Sequence, residues 1–341
     1  MNADNELTAT VQALVAGSKG LLAADESGPT IAKRFKTIGV ESTDETRRSY
    51  RSLLLATPGL AEFVSGVILY EETLGQVDTD GMPLAQRAAR EGIVPGIKVD
   101  AGKIALALAS GDEITQGLDG LAQRLEGYKR QGARFAKWRA VYNVSDTLPS
   151  RLAIEANAVA LARYASICQE QGVVPIVEPE VLMDGNHTIE RCAEVTEAVL
   201  HEVFDALHRH RVVLEHMVLK PNMIVPGIGH SGAATPADVA ARTVQVLRRT
   251  VPPAVAGIFF LSGGQTAVQA SANLDAINRV AGAQPWPLSF SYGRALQEPV
   301  LRAWRGQAAN LRVAQDALLK RARLNCAARA GRYDAAMERA D

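Results

Sequence analysis

The chain has 341 residues, a length that suits either two domains or a single large α/β barrel. Hydrophobic residues make up 47%, enough for a large buried core, and Lys+Arg balance Asp+Glu at 37 each. The formal charge of zero argues against a protein dedicated to nucleic acid or to a membrane surface, because both usually require a basic surface.

Three further features indicate the compartment. Cys168, Cys192 and Cys326 are odd in number and far apart, which is typical of reduced, mostly buried thiols rather than of a disulfide framework. The N-terminal segment MNADNELTAT lacks the basic start and apolar core of a signal peptide. No stretch approaches the roughly 18 apolar residues of a membrane span. We therefore expect a soluble, cytoplasmic protein.

Short apolar segments alternate with longer helical patterns along the chain. The predicted strands are 20–24, 64–70, 93–99, 133–138, 173–178, 213–220, 256–261 and 287–291. The predicted helices include 44–56, 118–131, 150–171, 188–210, 236–250, 264–280 and 306–330. Strands that are apolar on both faces and alternate with helices are typical of a parallel sheet covered by crossover helices.

This alternation predicts an α/β fold: a single (β/α)8 TIM barrel over residues 1–330, with extra N-terminal and C-terminal helices. Residues 331–341, which are small and polar, are predicted to form a short mobile tail. An open doubly wound sheet is the alternative. It lacks support, because no G-x-G-x-x-G or Walker A sequence follows an early strand, and GIGHSG (227–232) does not have the required spacing.

Polar residues stand where the predicted strands end, and barrel enzymes build their sites at that end. They are Asp25, Lys98, Lys137, Arg139, Glu178, Glu180, Lys220, Ser262-Gly263-Gly264 and Ser291-Tyr292-Gly293-Arg294. A single charge there is more often a solvated loop residue, and Glu178 and Glu180 could merely cap a helix. Complementary charges at so many strand ends favour one shared site.

Lys220 ends the apolar run VVLEHMVLK and is followed by Pro221. Apolar surroundings disfavour the charged form of a lysine, and a desolvated amine is a nucleophile able to form a Schiff base with a carbonyl substrate.

Two segments have the features of phosphate sites. LSGGQ (261–265) puts two glycines between a strand and a helix, where free amide groups and the helix dipole favour an anion. SFSYGRALQ (289–297) places Arg294 at the start of a helix, suited to forked contacts with phosphate oxygens. These segments follow strands seven and eight, the usual phosphate position in such barrels. No metal is expected, since the six histidines show no ligand spacing.

Seven segments in order carry a resemblance to a known family: LAADES, GIKVD, FAKWR, IVEPE, LKPNM, LSGGQ and SFSYGRALQ. Through them the sequence resembles the class I fructose-bisphosphate aldolases, over about residues 7–333. The resemblance implies that Lys220 is the Schiff-base lysine and Glu178 its general acid/base. Asp25 would remove the C4 hydroxyl proton, Lys137 would keep Lys220 reactive, and Glu180 would support the network.

The same resemblance implies the substrate contacts. Residues around the C1 phosphate would be Ser262, Gly263, Gly264, Ser291, Gly293 and Arg294, with Arg34 nearby. Lys98 and Arg139 would lie near the C6 phosphate. Ser27 follows the family pattern, and Thr30 offers a hydroxyl where many relatives have serine.

The activity implied is reversible cleavage of fructose 1,6-bisphosphate into glycerone phosphate and glyceraldehyde 3-phosphate, without a cofactor. The partners implied are a phosphorylated sugar and further copies of the chain in a homotetramer. Two alternatives stay open: cleavage of sedoheptulose 1,7-bisphosphate, and a non-catalytic phosphosugar-binding scaffold. The tail differs from many relatives, because it has no terminal tyrosine and Tyr333 is the only tyrosine near it.

Overall fold

The structure, a computed structural model, describes residues 3–280 and 282–339. Its strands are β1 Gly20–Ala24, β2 Val64–Leu69, β3 Val94–Lys98, β4 Lys103–Ala105, β5 Glu113–Thr115, β6 Phe135–Tyr142, β7 Val174–Val181, β8 Val218–Leu219, β9 Ile258–Phe260 and β10 Leu288–Tyr292.

The α-helices of the same residues are α1 Ala3–Val15, α2 Gly28–Lys36, α3 Asp44–Leu55, α4 Glu71–Gly75, α5 Leu84–Arg90, α6 Leu121–Arg130, α7 Arg151–Glu170, α8 Ile189–Arg209, α9 Pro236–Thr250, α10 Ala267–Arg279, α11 Arg294–Trp304 and α12 Leu311–Arg329. Short 3-10 helices span Leu60–Glu62, Leu214–His216, Ala308–Asn310 and Ala335–Glu338.

Eight parallel strands close into a barrel in the order β1-β10-β9-β8-β7-β6-β3-β2. Strand β1 pairs in parallel with both β2 and β10, which completes the ring. Strands β4 and β5 form a separate antiparallel hairpin between β3 and α6. The predicted TIM barrel is therefore confirmed, and the open doubly wound sheet is excluded.

The barrel interior is a small apolar core that is closed at one end by the N-terminal helix. Leu21, Phe135 and Phe259 point inward from their strands, and Leu7 and Leu14 of α1 pack against this cluster. A much larger core lies between the strands and the surrounding helices. Because side chains alternate along a strand, the inward face of β6 carries Phe135 and then Lys137 and Arg139.

Local capping residues account for two of the helix starts. Thr43 caps α3 and Thr235 caps α9, each in a capping box, and Pro236 is the first residue of α9. All three cysteines are buried, and none forms a disulfide.

The predicted strand 213–220 is wrong over most of its length. Residues Leu214–His216 form a 3-10 helix and only Val218–Leu219 pair as a strand. Val213 is 45% exposed, so the apolar run is not one buried strand. Conversely, β6 and β7 run beyond their predicted ends to Tyr142 and Val181, and the hairpin and helices α2, α4 and α5 were not predicted.

Residues 331–339 are attached to α10 and α12 by several contacts. Glu338 accepts two hydrogen bonds of 2.6 Å from Arg321, and the Tyr333 hydroxyl donates to Glu338 at 2.8 Å. The Tyr333 amide donates to Asp275 at 2.8 Å, and its ring is 6% exposed. The domain boundary at residue 330 and the mobility of the tail stay predictions. Residues 340 and 341 lie outside the described residues.

Candidate active site

A cavity of about 1670 Å³ opens at the carboxyl ends of the barrel strands. Apart from Tyr292, which is buried in the outer core, the residues predicted from the sequence to form the site line it. They are Asp25, Ser27, Thr30, Arg34, Lys98, Lys137, Arg139, Glu178, Glu180, Lys220, Ser262, Gly263, Gly264, Ser291, Gly293 and Arg294. The parallel barrel brings them together because every strand ends at the same rim.

Lys220 lies directly after β8 and is 4% exposed. Its amide donates to the Val177 carbonyl at 2.8 Å, which continues the pairing of β8 with β7 by one residue. Its Nζ lies 3.0 Å from Glu178 Oε1. The amine and the carboxylate are thus buried next to each other, and proton transfer between them needs no other group.

Lys137 lies among three carboxylates. Its Nζ is 2.8 Å from Asp25 Oδ2, 3.3 Å from Glu178 Oε2 and 3.8 Å from Asp100 Oδ2. Burial favours the neutral amine, but the charges of Asp25, Glu178 and Asp100 outweigh it and hold the pKa of Lys137 well above its ordinary value. Lys137 is therefore a fixed positive charge rather than a nucleophile.

Asp25 is the partner that lies nearest to Lys137. Burial favours the protonated acid, yet the positive charges of Lys137 and Lys220 outweigh it and keep the pKa of Asp25 well below its ordinary range. The carboxylate is ionised at neutral pH and can accept a proton from a hydroxyl placed beside it.

Two more ion pairs extend this network along the rim. Lys98 Nζ lies 2.6 Å from Asp100 Oδ1, and Arg139 forms an ion pair with Glu180. The register explains the arrangement, because Lys98 of β3 pairs with Lys137 of β6 and Arg139 pairs with Glu178 of β7.

The segment between β9 and α10 forms one polar wall of the cavity. Gly264 has φ +69°, and a Cβ there would lie 1.9 Å from Met183 Sδ. A Cβ on Gly263 would lie 3.0 Å from Glu180 Oε1. Two glycines are needed here because the backbone of Gly264 is in the left-handed region and both glycines approach neighbouring side chains closely.

A second polar wall lies where β10 leads into α11. Ser291 is 1% exposed, and its Oγ has no hydrogen-bond partner among the described residues. Gly293 caps α11, and Arg294 is the first residue of that helix, as predicted. Ser27 and Thr30 add two hydroxyls, 3.1 Å apart, at the start of α2.

Three polar residues that belong to this network were not predicted from the sequence: Asp100, Glu26 and Arg51. Each had a detectable signal. Asp100 ends the GIKVD segment, Glu26 follows Asp25 directly, and Arg51 interrupts the apolar stripe of α3. A charge inside a buried helix face is uncommon unless it is paired.

In residues 3–280 and 282–339, His, Cys, Asp and Glu side chains form no group of three or more that could hold a metal ion. In the same part of the chain, no helix combines the length and the apolar character needed to cross a membrane.

A sequence model of the family described as "Fructose-bisphosphate aldolase class-I" matches residues 6–341. The chain belongs to the class I fructose-bisphosphate aldolases. A "Probable fructose-bisphosphate aldolase class 1" of Xanthomonas campestris pv. campestris is 52% identical over 329 residues, 96% of this chain and 98% of that protein. The "Fructose-bisphosphate aldolase, cytoplasmic isozyme" of Spinacia oleracea is 51% identical over 337 residues, 99% of this chain and 94% of the relative.

The fold agrees with a solved member of the family. Fructose-bisphosphate aldolase from Plasmodium falciparum, in complex with TRAP and a small-molecule inhibitor, gives a TM-score of 0.96 at 50% identity, covering 98% of this chain and 96% of that one. As a class I aldolase, the enzyme cleaves fructose 1,6-bisphosphate reversibly into glycerone phosphate and glyceraldehyde 3-phosphate through a lysine Schiff base.

Proposed function

We propose that Lys220 forms the Schiff base and that Glu178 and Asp25 transfer the protons of the reaction. The observation that carries this proposal is the buried contact of 3.0 Å between Lys220 Nζ and Glu178 Oε1, with Lys137 between Glu178 and Asp25. The Lys220 amine attacks the C2 carbonyl of the open-chain sugar. Glu178 donates a proton to the carbinolamine hydroxyl, which leaves as water and gives a protonated imine.

Asp25 then removes the proton of the C4 hydroxyl. The C3–C4 bond breaks, its electron pair moves into the protonated imine to give an enamine, and C4 becomes the aldehyde of glyceraldehyde 3-phosphate. Protonation at C3 and hydrolysis of the imine release glycerone phosphate and restore the amine. The imine is the electron sink for the C3 carbanion.

The other two lysines of the cavity suit different roles. The raised pKa of Lys137, caused by three carboxylates that outweigh its burial, keeps that amine protonated. Lys98 lies 2.6 Å from an Asp100 carboxylate oxygen and donates to the Asp100 carbonyl at 2.7 Å. We assign Lys137 to stabilising negative charge beside Lys220, and Glu180 to holding Arg139.

We further propose that the two phosphates bind at opposite sides of the cavity. The C1 phosphate would contact Ser262, Gly263, Gly264, Ser291, Gly293 and Arg294, with Arg34 nearby. The C6 phosphate would lie near Lys98 and Arg139, and Ser27 and Thr30 would add hydroxyl contacts. Two anchored ends orient the C3–C4 bond, which lowers the entropic cost of reaching the reactive geometry.

The assembly and location of the enzyme are proposals as well. We expect a homotetramer, as the family resemblance implies. A cytoplasmic location is supported by the relative from Spinacia oleracea that is named as a cytoplasmic isozyme.

The proposal is tested by a coupled cleavage assay on fructose 1,6-bisphosphate, with and without EDTA, alongside sedoheptulose 1,7-bisphosphate. We expect turnover that EDTA leaves intact, and a higher kcat/KM for the fructose sugar. Loss of activity with EDTA that zinc restores would contradict a lysine-based mechanism without metal. A higher kcat/KM for the seven-carbon sugar would reassign the substrate.

A further inference from the structure

Arg51 is a buried cation on α3, next to the candidate active site but outside it. The residue is 2% exposed, in a helix face that also buries Tyr50, Leu54 and Leu55. It does not line the cavity. A guanidinium so completely removed from water requires acceptors for its donors and a compensating charge.

Its acceptors lie on both sides of Asp25. Arg51 Nη1 donates to the Ala24 carbonyl, and also to Glu26 Oε2 at 2.6 Å. Arg51 Nη2 donates to the Glu26 carbonyl at 3.2 Å. One planar group therefore holds the carbonyl before Asp25, the carbonyl after it and the neighbouring carboxylate.

A second side chain, from α11, reinforces this clamp. Gln297 Nε2 donates to the Ala23 carbonyl at 2.6 Å and to Glu26 Oε1 at 2.7 Å. The Tyr50 hydroxyl of α3 donates to Gln297 Oε1 at 3.0 Å. Helices α3 and α11 thus converge on the same short segment of backbone.

Asp25 needs such support because it lies just beyond the barrel ladder. The pairing of β1 with β2 ends at Ala24, and its pairing with β10 ends at Leu22. Strand hydrogen bonds fix the residues up to that point, whereas the backbone at Asp25 is held by the side chains that bind its neighbours and its carboxylate by Lys137.

We propose that Arg51 is a positioning residue for Asp25: it fixes the backbone on both sides of the carboxylate so that the C4 hydroxyl of the sugar meets it in reactive geometry. Glu26 keeps the guanidinium paired in this buried place. The inference rests on the proposed role of Asp25 as the base for the C4 hydroxyl.

Measuring cleavage and imine formation separately distinguishes a positioning role of Arg51 from a general effect on folding. Glycerone phosphate has no C4, so its imine with Lys220 forms without Asp25. A displaced Asp25 should impair cleavage of fructose 1,6-bisphosphate and leave trapping of the glycerone phosphate imine by borohydride intact.

The chain offers a matched control at the other end of the same strand. Arg329 of α12 donates to the Lys19 carbonyl, just before β1, and to the Val15 carbonyl at 2.9 Å. Like Arg51, it binds two backbone carbonyls next to β1, but it is half-buried and lies at the closed end of the barrel.

The experiment compares Arg51→Gln, Asp25→Asn, their double variant and Arg329→Gln. For Arg51→Gln we expect kcat for fructose 1,6-bisphosphate to fall on the order of a hundredfold, the scale of a small misplacement of a catalytic group, with borohydride trapping of glycerone phosphate within about twofold of wild type. The double variant should cleave no more slowly than Asp25→Asn, because both changes remove one function. Arg329→Gln should keep kcat. Arg51→Lys keeps the positive charge but not the forked guanidinium, and its kcat for fructose 1,6-bisphosphate should fall on the order of tenfold. This variant replaces Arg51→Gln in the test if Arg51→Gln does not fold.

Wild-type cleavage by both Arg51 variants beside an impaired Asp25→Asn would overturn this inference alone. So would losses that multiply in the double variant, or equal loss of trapping and cleavage in Arg51→Gln. Undiminished cleavage by Asp25→Asn would overturn the proposed role of Asp25, and this inference with it.

Discussion

At the scale of single residues, the site depends on how charges are paired away from water. Lys137 neutralises carboxylates that would otherwise repel one another, and in turn those carboxylates keep it protonated. Lys220, by contrast, is buried beside Glu178 alone among the ion pairs described, which fits its proposed role as the amine that attacks the carbonyl.

The lowered pKa of Asp25 predicts a pH-dependent contribution to stability. A carboxyl whose pKa is lower in the folded protein stabilises it above the unfolded value of about 3.9, and this stabilisation is lost as pH falls toward the folded pKa. Asp25→Asn should therefore lower the free energy of unfolding by about 3 kcal/mol at pH 5 to 7, the low end for breaking a buried ion pair. The deficit should shrink below about pH 4.

Urea unfolding of both proteins across this pH range measures the difference. Asp146→Asn, at an exposed position, serves as the control and should change little at any pH. A deficit that stays constant as the pH falls would mean that the charge of Asp25 is not what stabilises the fold.

Arg294 is predicted to act through phosphate binding. Arg294→Ala should weaken transition-state binding of fructose 1,6-bisphosphate by about 2–3 kcal/mol, the scale of hydrogen bonds to charged groups. Measured kcat/KM for a ketose lacking the C1 phosphate should change far less. Equal losses for both sugars would assign Arg294 a structural role.

At the scale of elements, the segment between β9 and α10 has its shape because two glycines leave room for Met183 and Glu180. Gly264→Ala should raise KM for the bisphosphate on the order of tenfold, because a Cβ would displace Met183 and shift the wall. Gly17→Ala is the matched control: Gly17 has φ +57°, yet nothing lies within 4 Å of its Cβ position.

Both alanine variants should lose about 1–2 kcal/mol of stability from the left-handed backbone. Kinetics with the bisphosphate would then separate them, since only Gly264→Ala should change KM. A similar KM for the two variants would show that this segment does not bind phosphate.

The C-terminal segment is predicted to stabilise the fold without assisting the reaction. Removal of residues 334–341 takes Glu338 from Arg321 and should lower stability by about 1–3 kcal/mol, because a buried donor loses its acceptor. Turnover should stay within about twofold. Thermal unfolding and steady-state kinetics test both parts, with Glu338→Gln as the point variant.

A different result would show that this segment is catalytic. A truncated enzyme that folds and binds substrate, yet loses kcat on the order of a hundredfold, would have lost a general acid.

At the scale of the whole molecule, the sequence was enough to predict the barrel and many of the residues that line its cavity. Both follow from the order of short apolar runs and of the polar residues that end them. Apolar runs that end in Lys220, Lys137 or Glu178 identify the inward-facing strand ends without knowledge of the pairing. Glu26 and Arg51 were missed because they pair with each other from segments 25 residues apart, and Asp100 because its approach to Lys137 depends on the pairing of β3 with β6. The β4–β5 hairpin was missed because its strands are only three residues long and neither is a run of buried apolar residues.

Lys220, buried beside Glu178, is the residue that we propose becomes covalently attached to the substrate. Borohydride reduction of the enzyme with glycerone phosphate, followed by peptide mass analysis, tests it most directly. We expect one triose to be attached, on the peptide that contains Lys220. Attachment to Lys98 or Lys137, or no attachment, would contradict it.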